Sequence, residues 1–294
     1  MSSTRPSLTA KQRAFVWLQR VLPTLWLSQL AHLVTRSQRP WLKRRLITRF
    51  MTHFGISLEE ARLRDADAYV SFNHFFTRAL LANARPLDTA ADALVSPVDG
   101  TVSEAGPIEE GRLIQAKGIR YSAADLLGVD TVGLGTFLGG EFATLYLSPS
   151  DYHRIHMPMD GRLVAMHFEP GRLFSVNPTT VAGIPGVFNR NERLALFFDT
   201  AVGPLALVLV GAIFVGSIET RWTGVVTPPH GQRAWKKTME TPLPVSKGEE
   251  IGRFNMGSTV ILLSGAGAVE WIDTLVAGTS VRMGQRVGTL GGLQ

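Results

Sequence analysis

At 294 residues, with 45% hydrophobic and 18% charged residues, the chain has the length and apolar content to bury a large core, which excludes a wholly disordered polypeptide. It has no cysteine, so disulfides, thiolate metal sites and a cysteine nucleophile are excluded. The net charge of +6 is concentrated: residues 1–50 hold ten Lys/Arg and no Asp or Glu, leaving 20 basic against 24 acidic residues in the rest.

In that basic segment apolar residues recur at helical spacing, first Leu22, Leu25, Trp26, Leu30, Leu33 and Val34, then Trp41, Leu42, Leu46, Ile47, Phe50 and Phe54. Residues 1–57 therefore read as basic amphipathic helices. Such helices lie in the headgroup region of an anionic membrane, where each basic group adds ~1 kcal/mol. The competing reading is a basic helical hairpin packed on its own core with a solvated outer face. No nucleic-acid-binding motif follows, so no nucleic-acid partner is expected. Gln19 and Arg20 interrupt the early apolar run and argue against a secretory signal. The arginine-rich, acid-free start also has the composition of a mitochondrial transit peptide.

Residues Leu58–Leu81 are expected to be helical, with Phe72, Phe75, Phe76 and Leu80 on one buried face. From about residue 94 short apolar runs alternate with Gly and Pro, as in Glu141–Leu147, Gly161–Glu169, Ala195–Asp199 and Thr259–Leu263, which indicates a β-rich body. Residues 201–218 are nearly all apolar and long enough for a membrane span, but Gly203, Pro204, Gly211 and Gly216 punctuate them; two buried strands separated near Gly211 fit better. Near the C-terminus Val245–Phe254 is echoed by Val281–Leu290 in the pattern V-x-x-G-x-x-(I/V)-G-x-(F/L), which predicts two similar strand–turn–strand units. This pattern is similar to turns in biotinyl and lipoyl carrier domains, although neither copy presents a Lys flanked by Met. The expected class is α+β: a β-rich body at 58–294 with lipoyl/biotinyl-like units, preceded by N-terminal amphipathic helices at 1–57.

Three segments carry chemistry: Ser96-Pro-Val-Asp-Gly-Thr-Val102, Asp151-Tyr-His-Arg-Ile-His-Met-Pro158 and Asn255-Met-Gly-Ser-Thr-Val260. Taken singly, the first and last read as turns. His153 and His156 read as ordinary imidazoles, or as half of a zinc site that lacks a third ligand at a recognisable spacing. Taken together, Asp99, a histidine and Ser258 are the parts of an activated hydroxyl, with base and orienting acid.

In this order and at these separations the three segments resemble the pyruvoyl-dependent phosphatidylserine decarboxylase family. Asn73-His-Phe-Phe-Thr-Arg78, Ala84-Arg-Pro86, Leu173-Phe-Ser-Val-Asn177 and the C-terminal G-x-x-V-x-x-G-x-x-x-G are also similar to it, so the resemblance runs from about residue 20 to the end. Met256 stands where the family commonly has Leu, a change of little volume. The resemblance implies a proenzyme that cuts itself between Gly257 and Ser258 into 1–257 and 258–294. It implies that His156, oriented by Asp99, takes the Ser258 proton, and that Ser258 becomes a covalent pyruvoyl group that condenses with the substrate amine and serves as electron sink. His153 is the candidate proton donor after loss of carbon dioxide, with His156 the alternative. Ser175 and Asn177 are candidate substrate-binding residues or, equally, turn formers before Pro178. No metal and no pyridoxal phosphate are expected.

The implied partners are phosphatidylserine, an anionic membrane surface and the second cleavage product in a heterodimer, with further homodimerisation left open. The implied location is peripheral, on the cytoplasmic face of a bacterial cell membrane. Readings from other classes are a zinc hydrolase using His153 and His156, a non-enzymatic lipoyl-like binding module, and a decarboxylase of a soluble amino acid derivative that works without residues 1–50.

Overall fold

The computed structural model describes residues 8–116, 118–213, 217–255 and 258–292. Three helices come first: α1 (Ala10–Val21), α2 (Thr24–Thr35) and α3 (Pro40–Phe54). A capping box starts α1, in which the Thr9 hydroxyl accepts the Gln12 N–H and the Gln12 side chain accepts the Thr9 N–H. Pro40 opens α3, and Gly55, at φ +63°, closes it in the left-handed conformation.

The second helix is turned inside out, and the first leaves its aromatic side chains in solvent. In α2 the buried residues are Thr24, Ser28 and Thr35, whereas Trp26 and Leu33 are 78% and 67% exposed; α1 buries Val16 and Gln19 and leaves Trp17 63% exposed. This overturns the reading of a hairpin packed on its own core. The inward face of α1 docks on the body both by packing, with Val16 in the core cluster that holds Val181, and by hydrogen bonds: Gln19 donates to Thr180 Oγ1 at 2.9 Å and accepts the Ser175 N–H at 2.8 Å. No helix among the described residues is long and apolar enough to cross a membrane.

The helix expected over Leu58–Leu81 shrinks to one turn, Phe72–Phe76, after a 3-10 turn at Ala66–Ala68. The apolar spacing there reflects burial beneath α3, where Phe50 lies 5.1 Å from Phe72 and 5.8 Å from Phe76, ring centre to ring centre.

The body is built on an eight-stranded antiparallel sheet. Its order is Trp235–Val245, Gly161–Glu169, Arg193–Thr200, Gly203–Val210, Ser258–Ser264, Glu141–Leu147, Gly100–Pro107 and Ser280–Val281. The stretches Leu205–Val210 and Val260–Leu263 are apolar on both faces because both faces are covered. Leu205, Leu207, Leu209, Val260 and Leu262 enter one core, and Ala206, Val208, Val210, Ile261 and Leu263 the other. The apolar run at 201–218 breaks at Gly211 as expected: Gly203–Val210 belongs to this sheet, and Ile218–Thr220 to a four-stranded sheet with Gly224–Val225, Glu250–Phe254 and Arg154–His156.

The echoed segments form equivalent turns, with Gly248 and Gly284 at φ +83° and +86°. In each, a side chain closes the turn: Glu249 accepts the Ser246 N–H at 3.0 Å, and Gln285 the Arg282 N–H at 3.1 Å. Each turn also grips a Pro-x-Asp-Gly segment. Gly284 donates to Ser96 O and Ser96 to Gln285 O; Gly248 donates to Met157 O and Met157 to Glu249 O. Val281 pairs with Gly100, and Val245 with Gly161. The two units clasp each other reciprocally, since Val95 donates to Pro158 O at 3.0 Å and His156 to Pro97 O at 2.8 Å. The body thus contains an internal two-fold arrangement in which Pro97-Val-Asp99-Gly100 corresponds to Pro158-Met-Asp160-Gly161.

Candidate active site

Ser258 opens a central strand, pairing with Leu147, and is fully buried. Its Oγ has no hydrogen-bond partner among the described residues. A buried hydroxyl without a partner is costly and calls for a reason. Met256 and Gly257, and with them the expected scissile carbonyl, lie outside the described residues. The residue before them is held firmly: Asn255 donates to Ser217 Oγ and Glu219 Oε2, both at 3.1 Å, and accepts from Asn73 Nδ2 at 3.1 Å.

His153 is fully buried against the Phe76 ring, 4.1 Å away, and its carbonyl accepts the Phe254 N–H on the strand that leads to this connection. Its Nδ1 lies 2.8 Å from Asp151 O. A carbonyl only accepts, so Nδ1 carries the proton. Burial pushes the imidazole pKa down to about 3, so the ring is neutral near pH 7 and Nε2 presents a bare lone pair. That Nε2 is buried and has no partner among the described residues.

His156 has both nitrogens engaged. Nδ1 donates to Gly248 O at 2.8 Å and Nε2 accepts from the Tyr152 hydroxyl at 3.0 Å. Burial lowers its pKa, and the Gly248 bond opposes that shift. Three positions apart on extended chain, His153 and His156 direct their nitrogens to different partners. Among the described residues no group of three or more His, Asp or Glu is arranged to hold a metal.

Asp99 does not bond to His156. Its carboxylate takes the fork of Arg85, with Nε at 2.8 and 2.9 Å from the two oxygens and Nη2 at 2.5 Å, and accepts the Met283 N–H at 2.8 Å. The bidentate, charge-assisted pair wins over a neutral imidazole whose own donors are satisfied elsewhere. Arg85 and Asp99 line a cavity of about 410 Å3 together with Arg78, Asp151, Tyr152 and Arg282. Burial raises the pKa of Asp151, whose carboxylate accepts the Ser148 N–H at 2.7 Å.

Ser175 and Asn177 make local bonds. Asn177 caps the helix Pro178–Gly183 by accepting the Thr180 N–H at 2.9 Å, and Ser175 Oγ accepts the Asn177 N–H at 3.2 Å. The structure uses both as turn formers. Arg85 and Tyr152 are the residues that motif reading passed over, although both lie inside or beside quoted segments.

A family model described as phosphatidylserine decarboxylase matches residues 72–289, and one described as PSD matches residues 14–55. The phosphatidylserine decarboxylase proenzyme of Ectopseudomonas mendocina is 50% identical over 283 residues, covering 95% of this chain and 98% of that protein. That of Azotobacter vinelandii is 50% identical over 281 residues, with the same coverage. A similarity of this depth over nearly the whole of both chains, on a fold that brings the acid, imidazole and serine segments to one end of the central sheet, is family membership: the chain belongs to the phosphatidylserine decarboxylase family.

Proposed function

We propose that the chain is a proenzyme that cuts itself between Gly257 and Ser258 and then decarboxylates phosphatidylserine at a membrane surface. The observation that carries this reading is the pair of buried atoms without a partner among the described residues, Ser258 Oγ and His153 Nε2, in a chain half identical to proteins named as proenzymes of that activity. In the first stage Ser258 Oγ loses its proton and attacks the Gly257 carbonyl, and the Ser258 nitrogen leaves as an amine. Removal of the Ser258 α-proton then expels the Gly257 carboxylate and leaves a dehydroalanine, whose imine tautomer adds water and releases the nitrogen as ammonia. The residue left at 258 is a pyruvoyl group, which supplies an electron sink for decarboxylation. The site fits it: position 258 starts a fully buried strand, and its side chain is bound to nothing among the described residues.

The two imidazoles divide the proton work. His156 is fixed by Pro97 O and Gly248 O to the same two turn units that hold Asp99, which suits it to the cleavage stage. His153, whose Nε2 has no partner among the described residues, is reserved for the substrate stage, where a carbon must be reprotonated. The outward apolar faces of α1 and α2, edged by arginines, bring the site to a lipid that stays in its bilayer. The two pieces remain together as a heterodimer. A cytoplasmic-face, peripheral location follows from this reading.

Intact mass under denaturing conditions tests it. A piece comprising residues 258–294 with a blocked N-terminus is expected. A single uncut chain after prolonged incubation at neutral pH would sink the proposal and bring the binding-module reading forward.

A further inference from the structure

The two-fold arrangement supplies an internal comparison for Asp99. Its counterpart, Asp160, sits in the same Pro-x-Asp-Gly turn and accepts a backbone N–H from the equivalent position of the other echoed turn, Lys247 at 2.7 Å, where Asp99 accepts that of Met283 at 2.8 Å. The turn therefore uses a side-chain acceptor in both halves, a role that an amide oxygen would also fill and that does not distinguish the two. What differs is a side-chain cation. Asp160 is exposed and has no ion pair among the described residues. Asp99 is buried and held by the Arg85 fork.

Arg85 belongs to the segment that breaks the symmetry. Both turn glycines press on it: a side chain at Gly248 would meet Leu87 Cδ2 at 2.8 Å, and one at Gly284 would meet Pro86 O at 2.7 Å. Asp88 also donates to Gly284 O at 2.9 Å. The clasp leaves the guanidinium little freedom. Its other branch donates to Glu60 Oε2 at 2.8 Å and to Ala84 O at 2.7 Å, so four N–H groups point at fixed acceptors. Glu60 is also reached by Arg282 at 3.3 Å. One side chain thereby ties the segment after α3, the acid turn and the 282–283 turn into a single unit.

We infer that Arg85 is the positioning residue of the self-cleavage site, the group that converts a turn-forming aspartate into the acid used at the centre. The inference rests on the proposed self-cleavage and on the part in it that the family resemblance implies for Asp99. It assigns Arg85 a requirement for geometry as well as charge, because only a planar fork serves both Asp99 oxygens and Glu60 at once.

The test follows the fraction of full-length chain cut over time, by intact mass, for Arg85→Ala, Arg85→Lys, Asp99→Asn and Asp160→Asn. Melting temperatures are recorded alongside. Expected are cutting at the wild-type rate for Asp160→Asn, about ten-fold or greater slowing for Arg85→Ala, and an intermediate rate for Arg85→Lys. The cavity beside Asp99 admits a small planar cation, so methylguanidinium should restore part of the Arg85→Ala rate and sodium chloride at equal ionic strength should not. A purely structural role would not respond to that choice of ion. Wild-type cutting by Arg85→Ala, with Asp99→Asn blocked, overturns the inference and leaves the functional reading standing. Wild-type cutting by Asp99→Asn overturns the reading beneath it. Should Arg85→Ala fail to fold, Arg85→Lys decides: slowed cutting supports the inference and an unchanged rate overturns it.

Discussion

Asn73 donates its side-chain N–H to Asn255 Oδ1 at 3.1 Å, joining the short helix beneath α3 to the residue that precedes the expected cleavage connection. Asn255 in turn satisfies Ser217 and Glu219. Replacing Asn255 by Ala removes the acceptor of the half-buried Asn73 amide and one donor to Glu219, whose carboxylate keeps only Arg253 at 3.8 Å among the ion pairs of the described residues. A loss of ~1–3 kcal/mol in urea unfolding is expected, with slower cutting followed by intact mass. A variant as stable and as rapidly cut as wild type would show that the network is idle.

The histidine variants should separate the two stages. His156→Ala is expected to stay uncut. His153→Ala is expected to be cut yet to release carbon dioxide from phosphatidylserine at under about a tenth of the wild-type rate. Normal cutting by His156→Ala would break this division, as would full decarboxylation by His153→Ala.

Acid stability carries a signature of His153. Its folded-state pKa of about 3 lies below the ordinary 6.5, with burial the main cause. Between those values the unfolded chain binds the proton and the folded one does not. Stability is therefore fully present above pH 6.5 and is lost as pH falls toward 3, at up to about 1.4 kcal/mol per pH unit. Denaturant midpoints measured from pH 7 to 4 should fall less steeply for His153→Gln than for wild type. Equal slopes would refute a buried neutral imidazole.

The outward residues of α1 and α2 should matter to vesicles and not to the fold. Replacing Trp17, Trp26 and Leu33 together by Ser removes apolar surface that water already touches, so the melting temperature should hold within a few degrees. Binding to anionic vesicles, read by sedimentation, should weaken about ten-fold or more, and wild-type binding should fall as salt rises. Unchanged binding by the triple variant would remove these helices from the membrane.

Much of the body was legible because its signals are local. The alternation in the strands around Val208 and Ile261 follows from pleating, and the echoed glycines Gly248 and Gly284 occupy the left-handed conformation that the repeat predicted. The spacing in α2 identified Trp26, Leu30 and Leu33 as one face, but periodicity states which residues share a face and not whether that face looks inward. At Leu58–Leu81 aromatic spacing imitated a helix because Phe72, Phe75 and Phe76 fill one pocket from a single turn. The pairing of Asp99 with Arg85 was hidden for another reason: adjacency in sequence cannot say which of several cations wins an acid, and the choice depends on a clasp built from residues far along the chain.

The place of Ser258 in the sheet has a consequence for the protein's history. Residues 258–264 run between Glu141–Leu147 and Gly203–Val210, hydrogen-bonded to both, with side chains in both cores. A cut before Ser258 would sever the chain without opening the sheet. The uncut polypeptide folds as one molecule, at a rate independent of concentration. Once cut and denatured, its two pieces would have to find each other, and recovery would slow with dilution. If the chain matures as proposed, the passage runs one way on this architecture: folding would come before the cut, and a cut molecule that unfolds would have lost the tether by which it first assembled.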